Sequence, residues 1–238
     1  MSRNHRGMLL VTALVSLIGC ASNVNDILEE AKSGDPESVE EAVIQLGEML
    51  RQKEEGGYPF DEADAVAILY LKDVARKSSN PLNRARAMSS LGLLRRPDLG
   101  HIFLAGLEDK SWIVQLEAAR GLAAKSYPES ASALAKQIDA DHRMEVRLAL
   151  IRALQAAGGD AALEALLRVF LDRTSRFRNM KIAAYEGVRA LSGRPYAFED
   201  ADNWERYYND RFVPAKNDGE PPAQPGGAPA SGTERGSG

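Results

Sequence analysis

The chain has 238 residues, 44% hydrophobic and 27% charged, with a formal net charge of −4 and one cysteine. An acidic balance argues against a general nucleic-acid binder. A single cysteine rules out an intrachain disulfide, so packing alone must hold the fold together.

The first element is a leader. Residues 1–6, MSRNHR, are short and basic, and GMLLVTALVSLIG follows before Cys20. The apolar run is shorter than the ~20 residues a spanning helix needs. With a basic start and small residues at its end, it reads as a secretory signal. Its last four residues, Leu17, Ile18, Gly19 and Cys20, resemble the lipobox of bacterial lipoproteins. The resemblance implies cleavage between Gly19 and Cys20, a diacylglyceryl thioether on the Cys20 sulfur and, usually, an acyl chain on the new amino group. That chemistry suits a thiolate nucleophile, and a small Gly19 lets a peptidase reach the bond. One acyl chain binds a membrane marginally, whereas two or three hold firmly. The expectation is therefore a chain anchored by lipid in the bacterial cell envelope, with residues 20–24 as linker. Ala21, where an aspartate would favour inner-membrane retention, points to the outer membrane if the organism is diderm. Cleavage removes Arg3 and Arg6 from the 30 basic residues, leaving 28 against 34 acidic and a charge of −6.

The body, residues 25–212, is rich in Leu and Ala at helical spacing and broken at Gly, Pro and Asp. Five nine-residue windows recur: SVEEAVIQL (38–46), NRARAMSSL (83–91), VQLEAARGL (114–122), VRLALIRAL (146–154) and AAYEGVRAL (183–191). Each ends in Leu, with a small or aliphatic fifth residue and an apolar sixth. The terminal leucines are 45, 31, 32 and 37 residues apart. An amphipathic stretch precedes most windows, as in DEADAVAILYLKDVARK and DAALEALLRVFLD. Such a unit is a helical hairpin too thin to bury both faces, so stacking must supply the missing partner. The predicted fold is all-α, an α-solenoid of about five hairpins.

The windows resemble the second helix of HEAT-like repeats, best in MEVRLALIRALQAAG and DKSWIVQLEAARGLA. Arg84 and Arg147 fill the arginine position, and Asp109 and Asp141 stand near the expected turn acid. Asn83, Gln115 and Lys181 depart from the pattern. The resemblance covers about residues 35–192, and the short period is similar to the compact class named after phycobilisome lyases. The 45-residue gap holds RQKEEGGYPFDEAD, expected to be a surface loop. The stretch LSGRPYAFEDADNWERYYNDRF resembles the segment that closes bacterial arrays of this kind. It implies a cap helix whose Phe198, Trp204, Tyr207, Tyr208 and Phe212 cover the last repeat. Residues 213–238 are rich in Pro and Gly, hold no aromatic residue, and read as a disordered tail.

The search for chemistry yields no catalytic, metal or cofactor assignment. His101 and His142 belong to different repeats, and no H-E-x-x-H helix, G-x-S-x-G elbow or Walker loop is present. His142 reads as a capping or solvated residue. Gly158 and Gly159 before a helix lack the phosphate-binding pattern, and Asp160 reads as an N-cap. The acidic group Glu40, Glu41, Glu54, Glu55, Asp61, Glu62 and Asp64 lacks calcium-loop spacing and reads as a solvated face.

Charge is distributed unevenly. Residues 26–64 carry 13 acidic and 3 basic side chains, and residues 143–194 carry 10 basic and 5 acidic. Arg147, Arg152, Lys181 and Arg189 fall on second helices, which usually line the concave side of such solenoids. With Arg176 and Arg178 they could form a basic strip for an acidic partner. The expected function is a non-catalytic, membrane-tethered scaffold that binds a protein partner. The alternatives are a structural envelope spacer and, through the resemblance to bilin lyases, a lyase-like subunit needing a second chain.

Overall fold

A computed structural model describes residues 24–140 and 142–213. Among these described residues eleven α-helices run in order: α1 (Val24–Glu30), α2 (Pro36–Gly56), α3 (Glu62–Lys77), α4 (Pro81–Gly92), α5 (Gly100–Gly106), α6 (Trp112–Ala124), α7 (Ala131–Gln137), α8 (Met144–Ala157), α9 (Gly159–Leu171), α10 (Arg178–Ser192) and α11 (Ala201–Phe212). They pair as five hairpins, α1–α2 to α9–α10, followed by α11. The second helices α2, α4, α6, α8 and α10 pack in that order into one layer. The first helices make the other layer, with α3 against α1 and α5, and α9 against α7 and α11. This is an α-solenoid with a C-terminal cap.

Local chemistry sets the helix starts. Asp35 accepts the Ser38 amide at 2.9 Å ahead of Pro36, and Asn80 accepts the Leu82 amide at 2.9 Å ahead of Pro81. Asp61 and Asp64 form a reciprocal capping box at the head of α3. The repeat windows lie on the second helices in one common register. Counting from the first residue of each window, position six (Val43, Met88, Ala119, Ile151, Val188) is buried in all five repeats. So is position five, and position nine is buried in the first four. Each such leucine contributes about 1.5–3 kcal/mol of apolar burial. Small residues set the spacing between repeats. A Cβ on Gly92 would stand 3.4 Å from the Gly121 Cα, and Gly47 lies directly under Ser90. Asn83, buried where an aliphatic residue is usual, donates to the Pro36 carbonyl at 2.9 Å.

The cap is built from rings. Trp204 is fully buried, its indole nitrogen donates to the Ala197 carbonyl at 3.0 Å, and Phe170, Tyr185, Tyr196 and Tyr207 surround it at 5.0–6.2 Å between centroids. Phe198 packs edge-on to Phe170 and Tyr185, both at 5.3 Å.

The expected loop at residues 51–64 is mostly helix. Helix α2 continues to Gly56 and α3 starts at Glu62, leaving 57–61 as the turn. Arg51 bridges Glu48 at 2.6 Å and Glu55 at 2.5 Å along the helix, which supports the added turns. Lys53 then reaches Asp61 at 2.7 Å and the buried Asp64 at 2.5 Å, tying the end of α2 to the start of α3. Gly57 makes the reversal at φ +67°.

Candidate interaction surface on the second helices

Among the described residues no helix packs on one face of the second-helix layer, which comes to solvent at a fixed register. Position seven is exposed in every repeat: Ile44, Ser89, Arg120, Arg152 and Arg189. The last three repeats thus carry an arginine at the same place on adjacent helices, and helices in contact lie about 8–10 Å apart. Arg120 is bridged to Glu117 at 2.6 Å, and the Arg189 guanidinium lies 5.8 Å from the Tyr185 ring centroid. Arg152 takes part in no ion pair among the described residues. Ile44, Leu82 and Ile182 add exposed apolar side chains to the second helices, and Leu93 adds one at the C-cap of α4. In the first repeat the outward positions are Glu37, Glu41 and Glu48, so the layer runs from acidic to arginine-bearing along the stack.

The six basic residues singled out from the sequence do not form one strip. Arg152 and Arg189 share the exposed row. Arg147 lies five residues before Arg152, about 140° around the helix. It occupies position two, half-buried, and its Nε is enclosed without a hydrogen-bond partner. Position two has a structural job elsewhere. Arg84 donates through Nε and Nη2 to the two Asp109 carboxylate oxygens at 2.7 and 2.8 Å, and through Nη1 to the Ser78 carbonyl. Burial raises the Asp109 pKa, but the Arg84 and Ser111 hydrogen bonds outweigh it and hold the carboxyl below the usual range. Gln115, in the next repeat, donates to the Asp109 carbonyl at 2.7 Å and meets His142 at 3.1 Å. His142 also contacts Gln137 at 3.2 Å, so it bridges elements rather than capping one. Asp141 lies outside the described residues.

Arg178 and Lys181 sit apart from the row. They line a groove of about 330 Å³ with Arg173 and Glu205, floored by Phe170 and Phe198. Lys181 also acts on Asp172, whose carboxyl is held down first by hydrogen bonds from the Thr174 hydroxyl and amide. Arg176 is exposed beside the exposed Phe177 in the turn between α9 and α10. Asp160 is not an N-cap: Gly158 holds that position, and Asp160 pairs with Arg211 of α11 at 2.6 Å. Arg120 falls outside the basic block of residues 143–194. The signal that finds it is the window register.

Gly19 and Cys20 lie outside the described residues, as do residues 214–238. No group of three or more His, Cys, Asp or Glu able to hold a metal occurs among the described residues, and no described helix is long and apolar enough to cross a membrane.

Two stacked layers of helical hairpins, in register and capped at one end, define an α-solenoid of HEAT-like type. Residues 100–186, from α5 into α10, match the family described as HEAT repeats. HEAT repeats are helical repeat scaffolds that commonly mediate protein–protein interaction. No curated protein matches the chain.

Proposed function

We propose that the protein is a lipid-anchored scaffold of the bacterial cell envelope that binds a protein partner across its second-helix layer without doing chemistry on it. The observation that carries the binding half is the exposed row Arg120, Arg152 and Arg189, repeated at one register beside exposed apolar side chains. Repeated charges on a rigid stack suit an acidic protein surface, and the apolar side chains suit a protein better than a nucleic acid. The anchoring half is supported by the sequence alone, through the lipobox-like Leu17–Cys20. Helix α1 begins four residues after Cys20, so a lipid there would hold the solenoid within about 14 Å of the bilayer surface.

Copurification from cells in mild detergent tests the first half. A partner should be recovered in fixed proportion. Arg120→Glu/Arg152→Glu/Arg189→Glu should abolish its recovery while circular dichroism shows unchanged helicity; undiminished recovery refutes the arginine row. Arg147→Gln should leave recovery unchanged. The second half is tested by palmitate labelling, which should mark the wild type and not Cys20→Ser.

A further inference from the structure

In the second and third repeats, positions one and eight of the second helix meet the repeat before. Asn83 bonds to the Pro36 carbonyl, Ser90 sits on Gly47, and Gly121 passes the backbone at Gly92. In the first repeat these positions are Ser38 and Gln45, and no described helix precedes α1. Together with Ile27 and Ala42 they line a groove of about 210 Å³ rimmed by Glu30, Glu37 and Glu41. It is the seat a preceding repeat would occupy. Glu30 and Glu37 take part in no ion pair among the described residues.

The other end of the stack carries the opposite charge. Beyond the cap, Arg194, Arg206 and Arg211 surround Tyr196 and Tyr207 in a groove of about 300 Å³, with Asp210 as the one carboxylate in its lining. Arg194 lies 5.1 Å from the Tyr207 ring centroid, and Arg206 bonds to Asn203 at 3.3 Å. Arg211 is shared with Asp160.

We propose that these two ends recognise each other in different copies, so that solenoids associate head to tail. The acidic seat of one copy takes the arginine–tyrosine end of the next. Three carboxylates in a lining that holds no cation face three guanidinium groups, of which Arg211 is already paired with Asp160, and tyrosine and arginine are side chains that interfaces favour. The two grooves sit at opposite ends of one stack, so the contact continues the array. A heterologous contact of this kind does not close on itself and builds rows. The inference does not rest on the lipid anchor or the arginine row, although Glu37 and Glu41 also belong to the outward side of the second-helix layer.

Sedimentation velocity of the full chain in mild detergent tests it. At about 0.05 M salt the mean mass should rise with concentration, and at about 0.5 M, where screening is short-ranged, association should weaken roughly tenfold or more. Glu37→Lys/Glu41→Lys spoils the seat, and Arg194→Glu/Arg206→Glu spoils the cap. Each variant alone should be monomeric. Their equal mixture should form dimers and nothing longer, because each copy keeps one working end. A wild type that stays monomeric overturns the proposal, as does association that persists in either variant. Glu37→Gln/Glu41→Gln, which removes charge and preserves helix propensity, must also weaken association; an unchanged mass distribution overturns the proposal too.

Discussion

At the C-terminal end of the array, rings from α9, α10, α11 and the segment before α11 enclose Trp204. At the N-terminal end, the short α1 covers α2 with Val24 and Ile27, and the groove beside them is polar, rimmed by Glu30, Glu37 and Glu41. Both ends meet the same demand, because the last repeat of a stack has one face too many. One end answers with apolar burial and the other with hydration. The difference teaches that the stack has a direction: among the described residues, rings close one end and carboxylates rim the other. Trp204→Ala should therefore have the largest effect of any single substitution, about 3–5 kcal/mol, as for other large buried aromatics. Ile27→Ala should cost about 2 kcal/mol, at the low end for buried aliphatic truncation. Denaturant unfolding of both variants measures the gap, and equal losses would break the comparison.

The interior lies between these extremes, and its polar link is the Arg84–Asp109 pair. Asp109→Ala leaves the guanidinium half-buried and also frees the Ser111 amide. Both partners keep some solvent contact, so the expected loss is about 2 kcal/mol, below that for a fully buried pair. The same pair predicts acid sensitivity. The folded-state pKa of Asp109 is lowered, so its contribution is complete above the unfolded carboxyl value, near 3.9, and is lost as pH falls through the folded one. Asp98 behaves alike: burial pushes it up, but Lys72 and Arg96 hold it at about 2. Unfolding midpoints should drop between about pH 4 and 2. Asp109→Ala should flatten part of that drop, and a parallel profile in the variant would remove Asp109 from the explanation.

Gly121→Ala probes the interior without charge. A methyl group there would stand 2.5 Å from the Phe103 ring, which is itself buried and has nowhere to go. Overpacking of this kind costs about 1–3 kcal/mol. Gly47→Ala meets the Ser90 side chain, so its cost should be the smaller of the two. Thermal unfolding of the pair ranks them, and the reverse order would show that repeat spacing is set by the helices rather than by these glycines.

Much of this architecture was legible in the sequence because stacking reuses one pattern. Leu46, Leu91, Leu122 and Leu154 announce the seam, and Trp204 with its neighbours announces the cap. Two features were hidden for physical reasons. Residues 51–56 look like a loop by composition, yet their charges pair at helical spacing and through Lys53, which only three-dimensional placement reveals. The basic residues near the C-terminal end look like one strip when summed, yet the helical twist sends Arg147 inward and Arg152 outward. Charge counted along a chain ignores the angle around a helix. The register of the windows keeps that angle, and it recovers Arg120.

The smallest expected effect sharpens the open end. Gly57 turns the chain between α2 and α3 at φ +67°, and nothing lies within 4 Å of where a Cβ would stand. Gly57→Ala should therefore meet no steric clash and only the left-handed backbone penalty, about 1 kcal/mol. Lys53 holds the two helices together across this turn through Asp61 and Asp64, so the strain should stay local and leave the cap untouched. Hydrogen exchange should show faster opening of α1 and α2 with unchanged protection around Trp204. Loss of protection at both ends would mean that the array unfolds as one cooperative unit, and the contrast between its ends would then hold for structure but not for stability.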